Sequence, residues 1–139
     1  MSRILLILLM LLSPIAWAEA IQSLHSLSEL KWKNRLILID AGNDPKTCQD
    51  ELSLMEAEII DRDIVWFVVS QTSITSNFNG RLTEELADNI RQQLHDHNSA
   101  VLLIGKDGGV KATDTQLRLH KLFSEIDSMP MRQRELQSD

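Results

Sequence analysis

The stretch that predicts the fold is residues 100–111, AVLLIGKDGGVK. Its first half is an unbroken apolar run, and Asp107-Gly108 separates that run from a second short strand near Val110. Two strands joined by an Asp-Gly turn give the strongest short-range hairpin signal that a sequence offers. We therefore expect an antiparallel hairpin here, with at least one of Gly108 and Gly109 at a positive φ angle.

Two continuous apolar runs precede the hairpin, at residues 36–39 (LILI) and 64–69 (IVWFVV). Runs of this kind are typical of strands that are buried on both faces. A helix is predicted between them, with a buried stripe made of Leu52, Met55, Ile59 and Ile60. A strand, a helix and a strand at this spacing indicate parallel pairing through a right-handed connection.

Apolar residues at helical spacing predict three further amphipathic helices. The first covers residues 21–33, the second covers residues 82–94, and the third is capped by Thr113. The polar residues 70–80 are predicted to be a loop. From residue 132 onward the chain is expected to form a short charged tail.

The order of these elements is helix, strand, helix, strand, helix, strand, strand, helix. That order predicts an α/β domain of the thioredoxin-like type, a three-layer sandwich. Its central mixed sheet is expected to hold four strands and to end in the antiparallel C-terminal hairpin. A chain of 139 residues suits one such domain.

The first twenty residues have the pattern of a secretory signal peptide. A basic start at Arg3 is followed by an apolar run over residues 4–12, and two small-residue cleavage sites end at Ala18 and Ala20. We expect a signal peptide at 1–18, with cleavage also possible after Ala20, and a periplasmic or secreted domain from residue 19 to 139. The apolar run is short for a bilayer span, so no stable membrane insertion is expected after cleavage.

Composition excludes some partner classes. The chain has 14 Lys and Arg against 20 Asp and Glu, a formal net charge of −6. A mildly acidic domain is a poor candidate for general nucleic-acid binding, and no nucleic-acid partner is expected. Because Cys48 is the only cysteine, no internal disulfide can form and the domain must fold on its core alone.

Four stretches together resemble the bacterial P-DUDES family: WKNRL at 32–36, DRD at 61–63, LIGKDGGVK at 103–111 and IDSMPMRQ at 126–133. P-DUDES domains are thioredoxin-like and peroxiredoxin-like domains of unknown function, and a related domain occurs in animal sushi-repeat-containing secreted matrix proteins. The resemblance implies a fold and an exported location, and it supplies no established reaction.

Sites in open sheets lie beyond the carboxyl ends of the parallel strands, here residues 40–48 and 70–72. Thr47 is the expected helix cap, which would make Cys48 the first residue of the helix. The helix dipole and Lys46 would then favour the thiolate, while nearby carboxylates oppose it.

Two functions follow from these residues. Catalytic thioredoxins carry Cys-x-x-Cys near this turn and a cis-proline before the hairpin, where this chain has one cysteine and Ala100. The favoured hypothesis is therefore a non-catalytic binding or interaction module, without a cofactor, for a protein or small-molecule partner in the periplasm. The alternative is a single-cysteine thiol peroxidase or reductase that uses Cys48 with an external thiol.

Candidate residues for binding a partner are two at the hairpin and two beside Pro130, namely Lys106, Asp107, Arg132 and Arg134. His95 and His97 flank Asp96, which raises the question of a metal site. Residues two apart near a helix end do not share one face, so no metal site is predicted.

Overall fold

A computed structural model describes residues 21–139. Within them the strands are β1 (Ser23–Leu24), β2 (Arg35–Asp40), β3 (Ile64–Val69), β4 (Ile74–Ser76), β5 (Arg81–Leu82), β6 (Val101–Ile104) and β7 (Val110–Asp114). The α-helices are α1 (Pro45–Leu54), α2 (Glu56–Asp61), α3 (Glu84–Asp96), α4 (Leu119–Asp127) and α5 (Pro130–Gln137). A short 3₁₀ helix covers Leu27–Leu30. The predicted signal peptide lies outside the described residues.

The main sheet has five strands in the order β4-β3-β2-β6-β7. Strands β2 and β3 are parallel, and the β2–β6, β3–β4 and β6–β7 pairs are antiparallel. The four strands β3-β2-β6-β7 have the predicted thioredoxin-like arrangement, so the α/β sandwich is confirmed. The predicted count of four strands is wrong by one, because β4 adds an edge strand. In addition, β1 and β5 form a separate parallel pair.

The sheet is buried on both faces, which explains the continuous apolar runs of its central strands. On one face Leu38, Phe67 and Leu102 belong to a core cluster with Leu86 and Ile90 of α3. On the other face, alternate residues of the same strands pack against α1, α2 and α4 through Ile37, Ile39, Val68, Val101, Leu103, Leu52, Ile59, Leu122, Phe123 and Ile126. The strands therefore hold the helices in two outer layers.

The hairpin between β6 and β7 has the predicted turn. The Gly108 N–H donates to the Gly105 carbonyl at 3.0 Å, and the Gly109 N–H donates to Asp107 Oδ1 at 2.9 Å. Gly108 has a φ of +84°, while the φ of Gly109 is not positive. The glycine requirement is thus confirmed at Gly108, and Leu102 faces the α3 layer as predicted.

The helix predicted over residues 21–33 is wrong. Strand β1 pairs with β5, and only the 3₁₀ turn follows it. The Ser26 side chain caps this turn together with Glu29 in a capping box, which fixes its start. Its end is fixed by Trp32, whose φ of +68° is incompatible with continuing a right-handed helix.

The third predicted helix begins later than expected. Thr113 lies in β7, where it pairs with Leu102, so the backbone is still extended at the proposed cap. Helix α4 instead follows Arg118, and α5 replaces the predicted charged tail. Pro130 ends one helix because it keeps Met129 extended, and it starts the next because proline suits the first helical position.

The predicted loop at residues 70–80 contains β4, and β5 follows it. The single helix predicted between β2 and β3 is two helices that meet at Met55. This break turns Ile60 out of the predicted buried stripe, so its side chain is 64% exposed. Among the described residues, no helix is both long and apolar enough to cross a membrane.

Candidate functional site

An open cleft of about 570 Å³ lies at the carboxyl ends of β2 and β3, the end of the sheet where the topology predicts a site. Polar side chains from four parts of the chain line it, including Asp40, Ser70, Arg91, His95 and Thr115. Residues 40 and 70–71 follow the parallel strands, as the sequence predicts. Helix α3 and Thr115, the residue after β7, complete the cleft. The apolar periodicity of the sequence did not predict their position.

Backbone hydrogen bonds fix the floor of the cleft. The Asp40 N–H donates to the Ala100 carbonyl at 2.8 Å, and the Ala41 N–H donates to the Val69 carbonyl at 2.9 Å. The Asp40 carboxylate accepts the Gly42 N–H at 3.0 Å and is otherwise exposed to solvent. Asp40 is therefore held in position with a free oxygen available to a ligand.

Arg91 fixes one wall of the cleft. Its guanidinium donates to the Ser70 carbonyl from Nε at 3.2 Å and from Nη2 at 3.1 Å, and to the Ser73 carbonyl at 3.4 Å. These bonds tie α3 to the turn after β3. The hydroxyl groups of Ser70 and Ser73 are hydrogen-bonded to each other at 2.7 Å, which closes the turn.

The two histidines separate in the structure. His95 is exposed and lines the cleft, whereas His97 is the C-cap residue that follows α3, with Nδ1 2.9 Å from the Gln93 carbonyl. Among residues 21–139 no group of three or more His, Cys, Asp or Glu side chains could hold a metal ion. The cleft thus offers a carboxylate, an imidazole and hydroxyl groups as hydrogen-bonding partners.

Cys48 is not the first residue of its helix, so that prediction is wrong. Helix α1 begins at Pro45, and Asp44 is its cap, because the Thr47 N–H and hydroxyl donate to Asp44 at 3.2 and 2.6 Å. The partly buried Cys48 packs against the core cluster and does not line the cleft. Desolvation, and then the charges of Glu51 and Asp44, raise the pKa of the Cys48 thiol above its usual 9.0.

An ion-pair network occupies the opposite end of the sheet. Arg35, the first residue of β2, is only 1% exposed and donates to both carboxylate oxygens of Glu135 at 3.1 and 3.2 Å. It also donates to the Arg62 carbonyl at 3.0 Å. The Lys106 ammonium joins the same Glu135 at 2.7 Å and Asp63 at 2.8 Å. The hairpin, β2 and α5 are thereby joined at one carboxylate.

The network continues to α2 and α4. Arg62 makes two hydrogen bonds to Asp127, at 3.0 and 2.8 Å, and donates to the Glu58 carboxylate at 2.7 Å and to the Glu58 carbonyl at 3.0 Å. Arg132 pairs with Asp61 at 2.6 Å and with Asp127 at 3.3 Å. The hydrogen bonds from Arg62 and Arg132 hold the pKa of the Asp127 carboxyl below its usual value. The cations of this end are therefore already paired.

The four predicted binding residues differ in exposure and in their ion-pair partners. Lys106 and Arg132 are committed to the network, and Arg132 is only 4% exposed. Asp107 is exposed but pairs with Lys111 at 2.8 Å, and Arg134 is exposed in the last turn of α5. Lys106 and Arg132 meet at the Glu135 carboxylate, and the binding role of the four residues stays a prediction.

Trp32 is an unusual residue beside the network. A φ of +68° is a strained conformation for a bulky side chain and costs about 1–3 kcal/mol. Trp32 is 62% exposed, so burial of its side chain does not offset the free energy of this strain. The backbone N–H of Trp32 donates to the Lys106 carbonyl at 2.6 Å, and the Lys31 ammonium lies 5.6 Å from the centroid of the indole ring. Sequence periodicity gives no sign of either feature.

A mixed sheet with helices on both faces and a cleft at the carboxyl ends of its parallel strands defines a thioredoxin-like α/β sandwich. The chain belongs to the family described as Domain of unknown function (DUF4174), which matches residues 26–135. A comparison with curated proteins found no match, and a comparison with solved structures found none either. The resemblance to P-DUDES stays a prediction.

Proposed function

We propose that this domain is an exported, non-catalytic binding module that holds a small polar molecule in the carboxyl-end cleft. The observation that carries the proposal is the cleft itself. It lies where sheets of this topology bind ligands, and its carboxylate at Asp40 keeps a free oxygen.

The charges of the cleft indicate the class of ligand. The lining holds one carboxylate, at Asp40, and one guanidinium, at Arg91, so these two charges balance. Arg91 donates three hydrogen bonds to backbone carbonyls, which leaves few of its N–H groups for a strong anion. A neutral or zwitterionic molecule with several hydroxyl or amine groups therefore fits better than a phosphate.

The environment of Cys48 favours this function over a thiol peroxidase. A peroxidase needs a thiolate near neutral pH in an accessible site. Burial and two neighbouring carboxylates act in the opposite direction at Cys48, and the thiol packs towards the core rather than into the cleft.

The proposal includes export and a relationship to the P-DUDES domains. Its support is the signal-peptide pattern ending at Ala18 or Ala20 and the four stretches that resemble that family. Mass spectrometry of the protein recovered outside the cytoplasm should find a new N-terminus after one of these alanines. A mature protein that retained Met1 would contradict export by this route.

The binding function is tested by NMR titration of the ¹⁵N-labelled protein with sugars, free amino acids and dicarboxylates as probes. We expect shift changes centred on Asp40, Arg91 and Thr115 with at least one of the first two classes. His95→Ala should weaken that binding, while the matched control His25→Ala, an exposed histidine outside the cleft, should not. Silence with every probe, or shifts centred on Lys106, would contradict the proposed site.

A further inference from the structure

A second cavity lies near the amino end of β2, away from the cleft. Four parts of the chain enclose it: the 3₁₀ segment, the start of β2, α3, and the hairpin between β6 and β7. We call it the hairpin pocket; its lining includes Lys31, Asn34, Asn89, Gln93, Asp107 and Gly108. Its volume of about 380 Å³ is within the range of small-molecule sites, and it shares no lining residue with the cleft.

The base of the hairpin pocket is apolar and fixed. Leu27, Leu36 and Ile104 line it, and all three belong to the buried core cluster on the α3 side of the sheet. A ligand that rests on this base therefore meets a surface that the fold already holds in place.

Lys31 lies between the 3₁₀ segment and the hairpin. Its Cδ and Cε atoms lie 3.6 Å from the position that a Cβ would take at Gly108, so the side chain runs along the turn. The next residue, Trp32, ties the same segment to the hairpin through its backbone hydrogen bond to Lys106. The strained φ of Trp32 thus occurs where the chain closes one side of the pocket, and such strain is often found at binding sites.

Three amide side chains line the pocket. Asn89 and Gln93 share one face of α3, and the Gln93 amide donates to the Asn89 amide oxygen at 3.0 Å. Asn34 donates to the Asp63 carbonyl at 3.2 Å. Within residues 21–139 the other polar atoms of these amides, one NH₂ group and two oxygens, make no hydrogen bond. Donors and acceptors together suit hydroxyl groups, which themselves both donate and accept.

Two charged side chains line the pocket. The Asp107 carboxylate is already paired with Lys111 at 2.8 Å. The Lys31 ammonium makes no ion pair in the described part of the chain, and it lies 5.6 Å from the centroid of the Trp32 ring. One unpaired ammonium matches one carboxylate, whereas a phosphate dianion would keep a second charge close to Asp107.

We propose that the hairpin pocket binds an acidic sugar, a molecule with several hydroxyl groups and one carboxylate. The carboxylate pairs with the Lys31 ammonium, and the hydroxyl groups bind the amides of Asn34, Asn89 and Gln93. The C–H groups of the sugar ring lie on the apolar base. This site is separate from the cleft and does not depend on the function proposed for it.

The test is NMR titration of the ¹⁵N-labelled protein with three probes. Galacturonate carries hydroxyl groups and a carboxylate, galactose carries only the hydroxyl groups, and propionate carries only the carboxylate. Galacturonate should shift the amide signals of Asn89, Gln93 and Gly108, and it should bind there about fivefold more tightly than galactose. Propionate should bind there more weakly than galacturonate. Signals of Asp40 and Thr115 report the cleft separately.

A pair of lysine variants tests the role of the charge. Lys31→Gln keeps part of the side chain along the turn but removes the ammonium, so the preference for galacturonate over galactose should disappear. Lys33→Gln is the matched control, because Lys33 is also exposed but does not line the pocket. It should keep the preference of the unaltered protein.

A pair of α3 variants tests the role of the amides. Asn89→Ala should weaken binding of galacturonate and galactose alike, by about fivefold. Gln92→Ala is the matched control, since it also removes one side-chain hydrogen bond within α3, to Asp96, but lies outside the pocket. Alanine favours helix at both positions, so neither variant should melt lower than the unaltered protein.

Three outcomes would overturn the proposal. Galacturonate could leave the signals of Asn89, Gln93 and Gly108 unchanged, which would mean that the pocket is empty of this ligand class. Propionate could bind as tightly as galacturonate, which would show that the hydroxyl groups make no contact. Lys31→Gln and Lys33→Gln could behave alike, which would show that the Lys31 charge does not select the ligand.

Discussion

At the amino ends of β2 and β3, four cations meet five carboxylates in direct ion pairs: Arg35, Arg62, Lys106 and Arg132 with Glu58, Asp61, Asp63, Asp127 and Glu135. At the carboxyl ends, Asp40 and His95 face solvent without an ion-pair partner among the described residues. Charges that are paired inside the fold are costly to unpair, and they leave little for a ligand. Charges left open on a fixed backbone contribute little to stability and remain free to bind.

The largest expected effect comes from breaking the network at its shared carboxylate. Glu135→Gln leaves the buried Arg35 without a counter-charge, and losing one partner of a buried pair costs about 3–5 kcal/mol. Urea unfolding should show a drop close to the lower end of that range, because Glu135 is itself partly exposed.

Two controls place this effect at one end of the sheet. Glu125→Gln, on the exposed side of α4, should change the free energy of unfolding by less than about 0.5 kcal/mol. Asp40→Asn at the cleft should be equally mild, because the amide oxygen still accepts the Gly42 N–H. If Asp40→Asn cost as much as Glu135→Gln, the contrast between the two ends would be wrong.

The hairpin gives the next effect in size. Gly108→Val forces a β-branched residue to a φ of +84° and should cost about 1–3 kcal/mol. Gly109→Val should cost less, because its φ is ordinary and its added Cβ meets the flexible Asp107 side chain at 3.3 Å. Thermal melting of both variants measures the difference. Equal melting temperatures would mean that the turn does not depend on the angle of Gly108.

The network also predicts a dependence of stability on pH. Desolvation, the largest single influence, pushes the pKa of Glu135 up, but hydrogen bonds from Arg35 and Lys106 outweigh it and hold the pKa below its usual 4.5. The pKa of Asp127 is likewise below its usual 3.8. A depressed folded-state pKa adds stability above the unfolded value and loses it as pH falls through the folded value.

Unfolding by urea should therefore become easier as the pH falls below these usual values of 4.5 and 3.8. Glu135→Gln should have a shallower pH dependence than the unaltered protein over this range, since one of the responsible carboxyls is gone. Parallel curves for the two proteins would show that Glu135 does not carry the effect.

The smallest effect is expected at the thiol. Cys48→Ser should stay within about 1 kcal/mol of the unaltered protein, because the side chain is small and only partly buried. The rate of alkylation of Cys48 should keep rising with pH to above 9.0, the usual pKa of the group. A rate that levelled off below neutral pH would reveal a thiolate and would revive the peroxidase hypothesis.

The sequence predicts most of the sheet because each strand carries its own local signal. The runs at 36–39 and 64–69 lie within β2 and β3, and Asp107-Gly108 lies in the turn before β7. The helix starts were less predictable. Thr47 and Thr113 are both residue types that commonly cap helices. In the structure Asp44 is the N-cap of α1, and pairing within β7 keeps Thr113 extended.

The candidate site could be predicted only in part. Asp40 and Ser70 follow from the end points of two parallel strands, which the sequence marks. Arg91 and Thr115 reach the cleft only because α3 and the end of β7 pack beside those strands. Lys106 stays a predicted binding residue, but the sequence did not predict that Asp63 and Glu135, far away in the chain, pair its charge.

By itself the sequence determined the apolar strands, the glycine turn and the order of the elements, because these depend on contacts between neighbours and on the period of the apolar residues. Only the tertiary structure decided which charges are free. Arg35 and Glu135 are 100 residues apart in the chain and become partners when the sheet and α5 come together. Local pattern cannot encode such a pairing, since it depends on where the packed elements place each side chain.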